Sequence, residues 1–293
     1  MRLLRTDTLQ LVEFMGDFDG RYAILSHTWG REEISFQEMV LANKSTQPEA
    51  DAVKEKAGYR KIRGFAAVAA EDGHEYAWVD TCCIDKSSSA ELSEAINSMF
   101  RWYRNAAHCY VYLADISDKD ADADLATRTS RLNLNSRRGM GLELCHSRWF
   151  TRGWTLQELV APVSLRFYLF DWTAGPTRED LSNQLESIIK IPAEVLETGE
   201  FSEIPVAERL KWASNRVTTR VEDMAYCLMG LFDVNMPLLY GEGHKAFLRL
   251  QEEIYRNTND ESIFAWTSSS NQQAWFDDHQ YRGLFARSPA EFG

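Results

Sequence analysis

The chain has 293 residues, 44% of them hydrophobic and 12% aromatic, with a formal net charge of −12, enough apolar mass for one large or two modest globular cores. That acidity, with a pI near 5.1, excludes broad contact with nucleic-acid phosphate, which needs a basic face. No apolar run reaches the length of a membrane span, the start Met1-Arg2-Leu3-Leu4-Arg5-Thr6-Asp7 lacks the apolar core of a secretory signal, and the five cysteines are odd in number with Cys82 and Cys83 adjacent, so a cytoplasmic protein with reduced thiols is expected.

In chain order, Tyr22 to His27 is the first short run with strand character. A helix is expected over Asp51 to Ala70, ending at Asp72-Gly73, and a second strand over Tyr76 to Thr81. The clearest helix runs from Ser89 to Arg104: Leu92, Ala95, Ile96, Met99 and Tyr103 recur at helical spacing, and Ser88 with Glu91 makes a capping box. Strands follow at Cys109 to Ala114 and Ser164 to Phe170, an alternation that predicts a parallel sheet with helices on its faces. Between them, residues 115–147 read as a polar insertion. Asp115, Asp118, Asp120, Asp122 and Asp124 precede Arg128, Arg131, Arg137 and Arg138, and the spacing lacks the glycine and closing glutamate of a calcium loop. After Pro192 three amphipathic segments, Val206 to Ser214, Arg220 to Phe232 and Gly243 to Tyr255, predict a helical extension. Tyr240-Gly241-Glu242-Gly243 lacks the pattern of a phosphate loop and reads as a helix start, there is no internal repeat, and Asn271 to Gly293 suggests a chain that continues in a longer protein.

Chemistry-bearing residues gather at the strand ends. Ser26 and His27 emerge at the carboxyl end of the first strand, and Asp80, Cys82 and Asp85 follow the second, where open α/β sheets bind ligands. A Ser or Cys nucleophile with His27 and Asp80 lacks a G-x-S-x-G elbow, and His27 with Cys82 and Cys83 lacks the further pair that zinc needs. Buried thiols are favoured for the cysteines, and Asp80 and Asp85 serve equally well as loop or cap carboxylates. Trp78 reads as core, whereas Trp29, in a turn before Gly30, is a stacking candidate. The densest stretch is Arg148-Trp149-Phe150-Thr151-Arg152-Gly153-Trp154-Thr155-Leu156-Gln157-Glu158-Leu159. Its tryptophans offer flat faces for a ring or cation, its arginines offer planar forks for phosphate, and a helix beginning near Thr151 sets Trp154 and Glu158 on one face. Thr155 with Glu158 also fits a capping box before Pro162, and spacing alone leaves cap and catalyst open.

Three blocks in this order, Tyr22-Ala23-Ile24-Leu25-Ser26-His27-Thr28-Trp29-Gly30, Trp78-Val79-Asp80-Thr81-Cys82-Cys83-Ile84-Asp85-Lys86 continuing to Glu91, and the arginine and tryptophan segment, resemble the fungal heterokaryon incompatibility (HET) domain over roughly residues 1 to 165. The run from Trp212-Ala213-Ser214 through Leu239-Tyr240-Gly241-Glu242-Gly243 is similar to the extension that often follows. The resemblance implies a cell-death effector of nonself recognition, often fused to a nucleotide-binding regulatory domain and repeats, with a TIR-like (flavodoxin-like) α/β fold. With the helical pattern after Pro192, the chain is expected to divide into an α/β domain at 1–200 and a mainly helical extension at 201–293. TIR domains that cleave NAD use a glutamate in a W-x-x-x-E-L-like helix, and Trp154-Thr155-Leu156-Gln157-Glu158-Leu159 matches it, which maps the catalytic role onto Glu158. NAD is then the substrate, broken between nicotinamide and ribose, with no metal or other cofactor required. Trp29 or Trp154 stacks on a ring, Arg148 and Arg152 neutralise pyrophosphate, and Ser26, His27, Asp80, Cys82 and Asp85 line the pocket or hold ribose hydroxyls. Self-association on activation is expected, and the alternative is a non-catalytic module that relays a death signal by assembly.

Overall fold

Six consecutive buried residues, Tyr22–His27, form the strand on which the rest of the fold is laid. A strand covered on both faces carries apolar side chains without alternation, and Tyr22-Ala23-Ile24-Leu25 does so until Ser26 and His27 bring polar groups to its end. The computed structural model describes residues 1–16, 18, 20–44, 48–116, 144, 146–267 and 283–293. The expected polar insertion at 115–147 lies mostly outside these residues, as do positions 271–282 of the expected C-terminal tail.

The strands are Arg2–Arg5 (β1), Leu11–Glu13 (β2), Tyr22–His27 (β3), Tyr76–Trp78 (β4), His108–Leu113 (β5), Leu165–Leu169 (β6) and Ala174–Thr177 (β7). They make a seven-stranded sheet in the order β2-β1-β4-β3-β5-β6-β7. The inner strands β4, β3, β5 and β6 are parallel, with Ile24 opposite Trp78 on one side and Cys109 on the other. The edges correct the expectation of a parallel sheet: β1 pairs antiparallel with β2 and β4, and β7 pairs antiparallel with β6. Short connections permit the β1–β2 and β6–β7 returns, since antiparallel neighbours need no crossover, whereas β1 meets β4 from a distant part of the chain. In chain order the four parallel strands lie 2-1-3-4, so the winding reverses between β3 and β5, and the carboxyl ends there open the crevice in which such sheets bind ligands.

The crossovers supply the covering helices. Phe36–Lys44 (α1), Pro48–Lys54 (α2) and Ala57–Glu71 (α3) join β3 to β4, and Asp80–Cys83 (α4) and Ser89–Asn105 (α5) join β4 to β5. The single helix expected over Asp51 to Ala70 is two, because Lys56 is extended (ψ 146°) and starts α3 afresh. Ser88 caps α5 by accepting from the Glu91 amide, as the capping box predicts. The strand expected to reach Thr81 stops at Trp78, and the chain turns at once into α4. A 3₁₀ turn at Arg148–Thr151 and helix Thr155–Val160 (α6) precede β6. Ser182–Ile189 (α7), Ala193–Thr198 (α8), Val206–Lys211 (α9), Asp223–Tyr226 (α10) and Lys245–Asn257 (α11) follow.

The segment between α10 and α11 packs on α5 of the α/β body. Asn97 of α5 donates to the Met236 carbonyl at 3.3 Å and accepts from its amide at 3.2 Å. Gly230 lies so close under Phe100 that a methyl group there would sit 2.1 Å from the Phe100 Cβ. Among the described residues no helix is long and apolar enough to cross a membrane.

Candidate active site

The carboxyl end of β3 sends successive side chains to opposite faces, as a strand must. Ser26 goes to the α6 side: its hydroxyl donates to Glu158 Oε2 at 2.5 Å and accepts from the Trp149 indole at 2.8 Å. Tyr103 of α5, which donates to the Leu25 carbonyl at 2.9 Å, lies beside the same carboxyl. Burial pushes the Glu158 carboxyl up to about 8, with the Asp80 charge adding to the shift and Ser26, Tyr103 and Arg216 opposing it. At neutral pH this side chain is mostly protonated. The capping-box alternative for Thr155 and Glu158 is not what the chain adopts. Thr155 Oγ1 donates to the carbonyls of Trp149 and Arg152, α6 has no side-chain N-cap bond, and Glu158 is turned inward at 7% exposure.

His27 goes to the other face. Lys61 of α3 is buried there, with Nζ 2.6 Å from His27 Nδ1 and 2.6 and 2.8 Å from the two Glu33 oxygens. An ammonium has donors and no lone pair, so Nδ1 accepts, the ring proton sits on Nε2, and that N–H donates to Asp80 Oδ1 at 3.0 Å. Burial, then the Lys61 charge, lowers the imidazole's affinity for a second proton, and His27 is neutral. Burial alone would raise the Asp80 carboxyl, but Lys86, His27 and the Trp29 indole, which donates at 2.8 Å, hold it well below the usual carboxylate range. The site therefore carries one neutral carboxyl and one ionised carboxylate in contrasting environments, the arrangement that separates acid from base roles. The Ser–His–Asp hydrolase arrangement is absent: Ser26 faces Glu158, and both His27 nitrogens are engaged elsewhere.

Cations and an aromatic ring form the rim. Trp29 is 54% exposed, and Lys86 Nζ sits 3.8 Å from its ring centroid and 3.8 Å from Asp80 Oδ2. Arg148 Nε donates to Thr28 Oγ1 at 3.0 Å, and its Nη2 to the Trp29 carbonyl at 3.3 Å, which fastens the 3₁₀ turn to the loop after β3.

Of the residues singled out in the sequence, Ser26, His27, Trp29, Asp80, Arg148 and Glu158 come together at this crevice. The others lie elsewhere. Cys82 is a fully buried core thiol held protonated, chiefly by its neighbour Cys83 and by burial. Asp85 closes a loop turn, accepting from the Ser87 amide and hydroxyl and from Gln37. Arg152 points to the extension, where its Nη2 donates to Thr219 Oγ1 at 3.0 Å, and the Trp154 indole meets Asp223. The helix expected from Thr151 begins only at Thr155, after the 3₁₀ turn at Arg148–Thr151, and Trp154 and Glu158 meet different partners, Asp223 and Ser26. Lys61 and Glu33 escaped the sequence reading. Their one signal was a lysine on the apolar face of α3, between Tyr59 and Ile62, where a cation needs a partner.

The Heterokaryon incompatibility protein (HET) family model matches residues 22–158, a span that holds the whole cluster from Ser26 to Glu158. A domain of unknown function (DUF8212) matches residues 245–291. The chain is 48% identical over 238 residues to vegetative incompatibility protein HET-E-1 of Podospora anserina. That alignment covers 80% of this chain and 16% of the relative, so the chain spans about a sixth of the length of the curated relative it matches. No solved structure matches it.

Proposed function

From the premise that residues 22–158 are a fungal heterokaryon incompatibility domain, we propose that the chain is a cytoplasmic cell-death effector of nonself recognition that hydrolyses NAD at the nicotinamide–ribose bond. The observation that carries this reading is the buried Glu158 carboxyl, held by Ser26 beside the ionised Asp80 under a rim of Trp29, Lys86 and Arg148. The nicotinamide ring of NAD is a cation. Entering beside Glu158 it favours the carboxylate over the acid and draws the proton off, so the negative charge appears where positive charge builds on the ribose. The C1′–N bond breaks with its electron pair going to nicotinamide, which leaves neutral, and water adds to C1′ with loss of a proton. Asp80 is anionic throughout and suits a ribose hydroxyl, Trp29 offers a face for a base, and Arg148 with Lys86 faces the pyrophosphate. Arg152 and Trp154, engaged at the extension, drop out of this set. The 2-1-3-4 order of the parallel strands and the Trp154-to-Leu159 motif support a TIR-like kinship. In this reading activation is by self-association, driven by a regulatory nucleotide-binding region of a longer chain, in keeping with the length of the relative.

A second reading, a non-catalytic module that signals by assembly, is favoured by the closure of the site: Glu158 is 7% exposed, and Lys86 already covers one face of Trp29. Incubating the purified chain with NAD and measuring released nicotinamide separates the two. Turnover is expected, rising with chain concentration, and Glu158→Gln is expected to cut it by about 100-fold or more while the circular dichroism spectrum is unchanged. A folded Glu158→Gln protein with full turnover removes the role from this residue, and no turnover at any chain concentration leaves the assembly module.

A further inference from the structure

Arg216 lies in neither matched span, 22–158 or 245–291, yet its guanidinium is buried against the start of α6. Nη1 donates to the Arg152 carbonyl at 2.8 Å and to Thr155 Oγ1 at 3.0 Å. The backbone beside it is laced to the same turn, with the Gly153 amide donating to the Val217 carbonyl at 2.9 Å and the Val217 amide to the Thr151 carbonyl at 2.7 Å. From there the network reaches the site: Thr155 holds the Trp149 carbonyl, the Trp149 indole holds Ser26, and Ser26 holds Glu158. The second nitrogen, Nη2, is buried with no acceptor among the described residues. A guanidinium cannot escape burial by losing its proton at neutral pH, and an under-satisfied buried cation is costly unless a buried anion answers it. Among the described residues, the titratable groups acting on Glu158 include Asp80, which disfavours its ionisation, the neutral Tyr103 and Cys109, and the cation Arg216, which favours it.

We propose that Arg216 is a positioning residue for Glu158: it anchors the first turn of α6 and supplies the buried positive charge against which Glu158 gives up its proton. The segment after α9 is then part of the site and not an appendage to it. This rests on Glu158 being the working carboxylate, but its test does not need turnover. With 13C at the glutamate carboxyl carbon, the resonance missing from Glu158→Gln identifies the group, and its titration can be followed in variants of the whole chain. Arg216→Met is expected to move the Glu158 midpoint upward by on the order of one pH unit, the scale of one buried charge at an effective dielectric near 20. Arg216→Lys, which keeps the charge, is expected to bring it back. If Arg216→Met does not fold, Arg216→Gln keeps a donor for the Arg152 carbonyl, removes the charge, and is expected to move the midpoint in the same direction. In the folded, uncharged variants nicotinamide release at pH 7 is expected to fall about tenfold or more, with the rate-against-pH profile displaced to alkaline pH by the same amount as the midpoint. A Glu158 midpoint that stays at its wild-type position in a folded, uncharged variant overturns the proposal. A wild-type chain inert toward NAD overturns the NAD assignment alone, and the titrations still decide the role of Arg216.

Discussion

At the scale of single residues, the state of Glu158 sets both chemistry and stability. Burial raises its carboxyl from an ordinary 4.5 to about 8, so between those values the folded chain keeps a proton that the unfolded chain gives up. Folding is then undisturbed by this group below pH 4.5 and increasingly opposed as pH rises, until the cost levels off above 8. Glutamine mimics the neutral acid and carries no such cost. Glu158→Gln is therefore expected to be more stable than the wild type, by an amount that grows by on the order of 3 kcal/mol between about pH 5.5 and 8.5. Urea denaturation across that range checks it, and a gain that does not change with pH shows that Glu158 is ionised in the native site. A stabilised variant that has lost its chemistry is the signature of a functional strain and not of a packing residue. Part of this site was legible in the sequence because Ser26, His27, Asp80 and Glu158 sit in or just after recognisable elements. Lys61, Glu33 and Arg216 were not, since a lysine inside a helix, a loop glutamate and an arginine after α9 acquire meaning only when distant segments bury them together.

At the scale of elements, the sequence signals worked where a segment satisfies itself and failed where neighbours decide. The α5 boundaries follow from local patterning and the Ser88 cap, and β3, β5 and β6 from aromatic and β-branched runs. The edge strands gave no such signal. β1 and β2 have four and three residues, too few to display a period, and β7 is Ala-Gly-Pro-Thr, a poor strand sequence that an edge tolerates because Pro176 lacks only one ladder bond. The break before α6 likewise depends on a partner. Gly153 is pressed against the extension so closely that a methyl group there would lie 2.4 Å from Thr218 Cγ2 and 3.1 Å from Cys227 Sγ. Gly153→Ala is expected to cost about 1–3 kcal/mol by overpacking and to loosen the turn that aims Glu158. Adding Thr218→Ser removes the clashing methyl and is expected to restore most of the loss. Thermal melts of the single and double variants check this, and an unrescued double variant shifts the cause to backbone freedom at Gly153.

At the scale of the whole molecule, the α/β body and the helices after residue 200 share their interior. The aromatic contact runs from Phe100 through Phe201 to Trp212, with centroids 6.2 and 6.1 Å apart. Gly230 underlies Phe100, Met236 pairs with Asn97, and Val217 and Arg216 fasten the start of α6. Each large apolar side chain removed from such a contact forfeits about 1.5–3 kcal/mol, and a domain holds only about 5–15 kcal/mol in total. A chain ended at residue 200 keeps all seven strands but uncovers α5 and leaves the α6 turn without its guanidinium. It is expected to bind a hydrophobic dye, to melt over a broad range well below the full chain, and to lose the raised Glu158 midpoint, because the carboxyl is no longer sealed from water. A fragment that melts cooperatively at the full chain's temperature would make the extension a separate domain and its contacts with α6 incidental. The predicted loss makes it a structural part of the unit that holds Glu158, so a regulator gripping the extension could reach the crevice through Arg216 without touching the sheet.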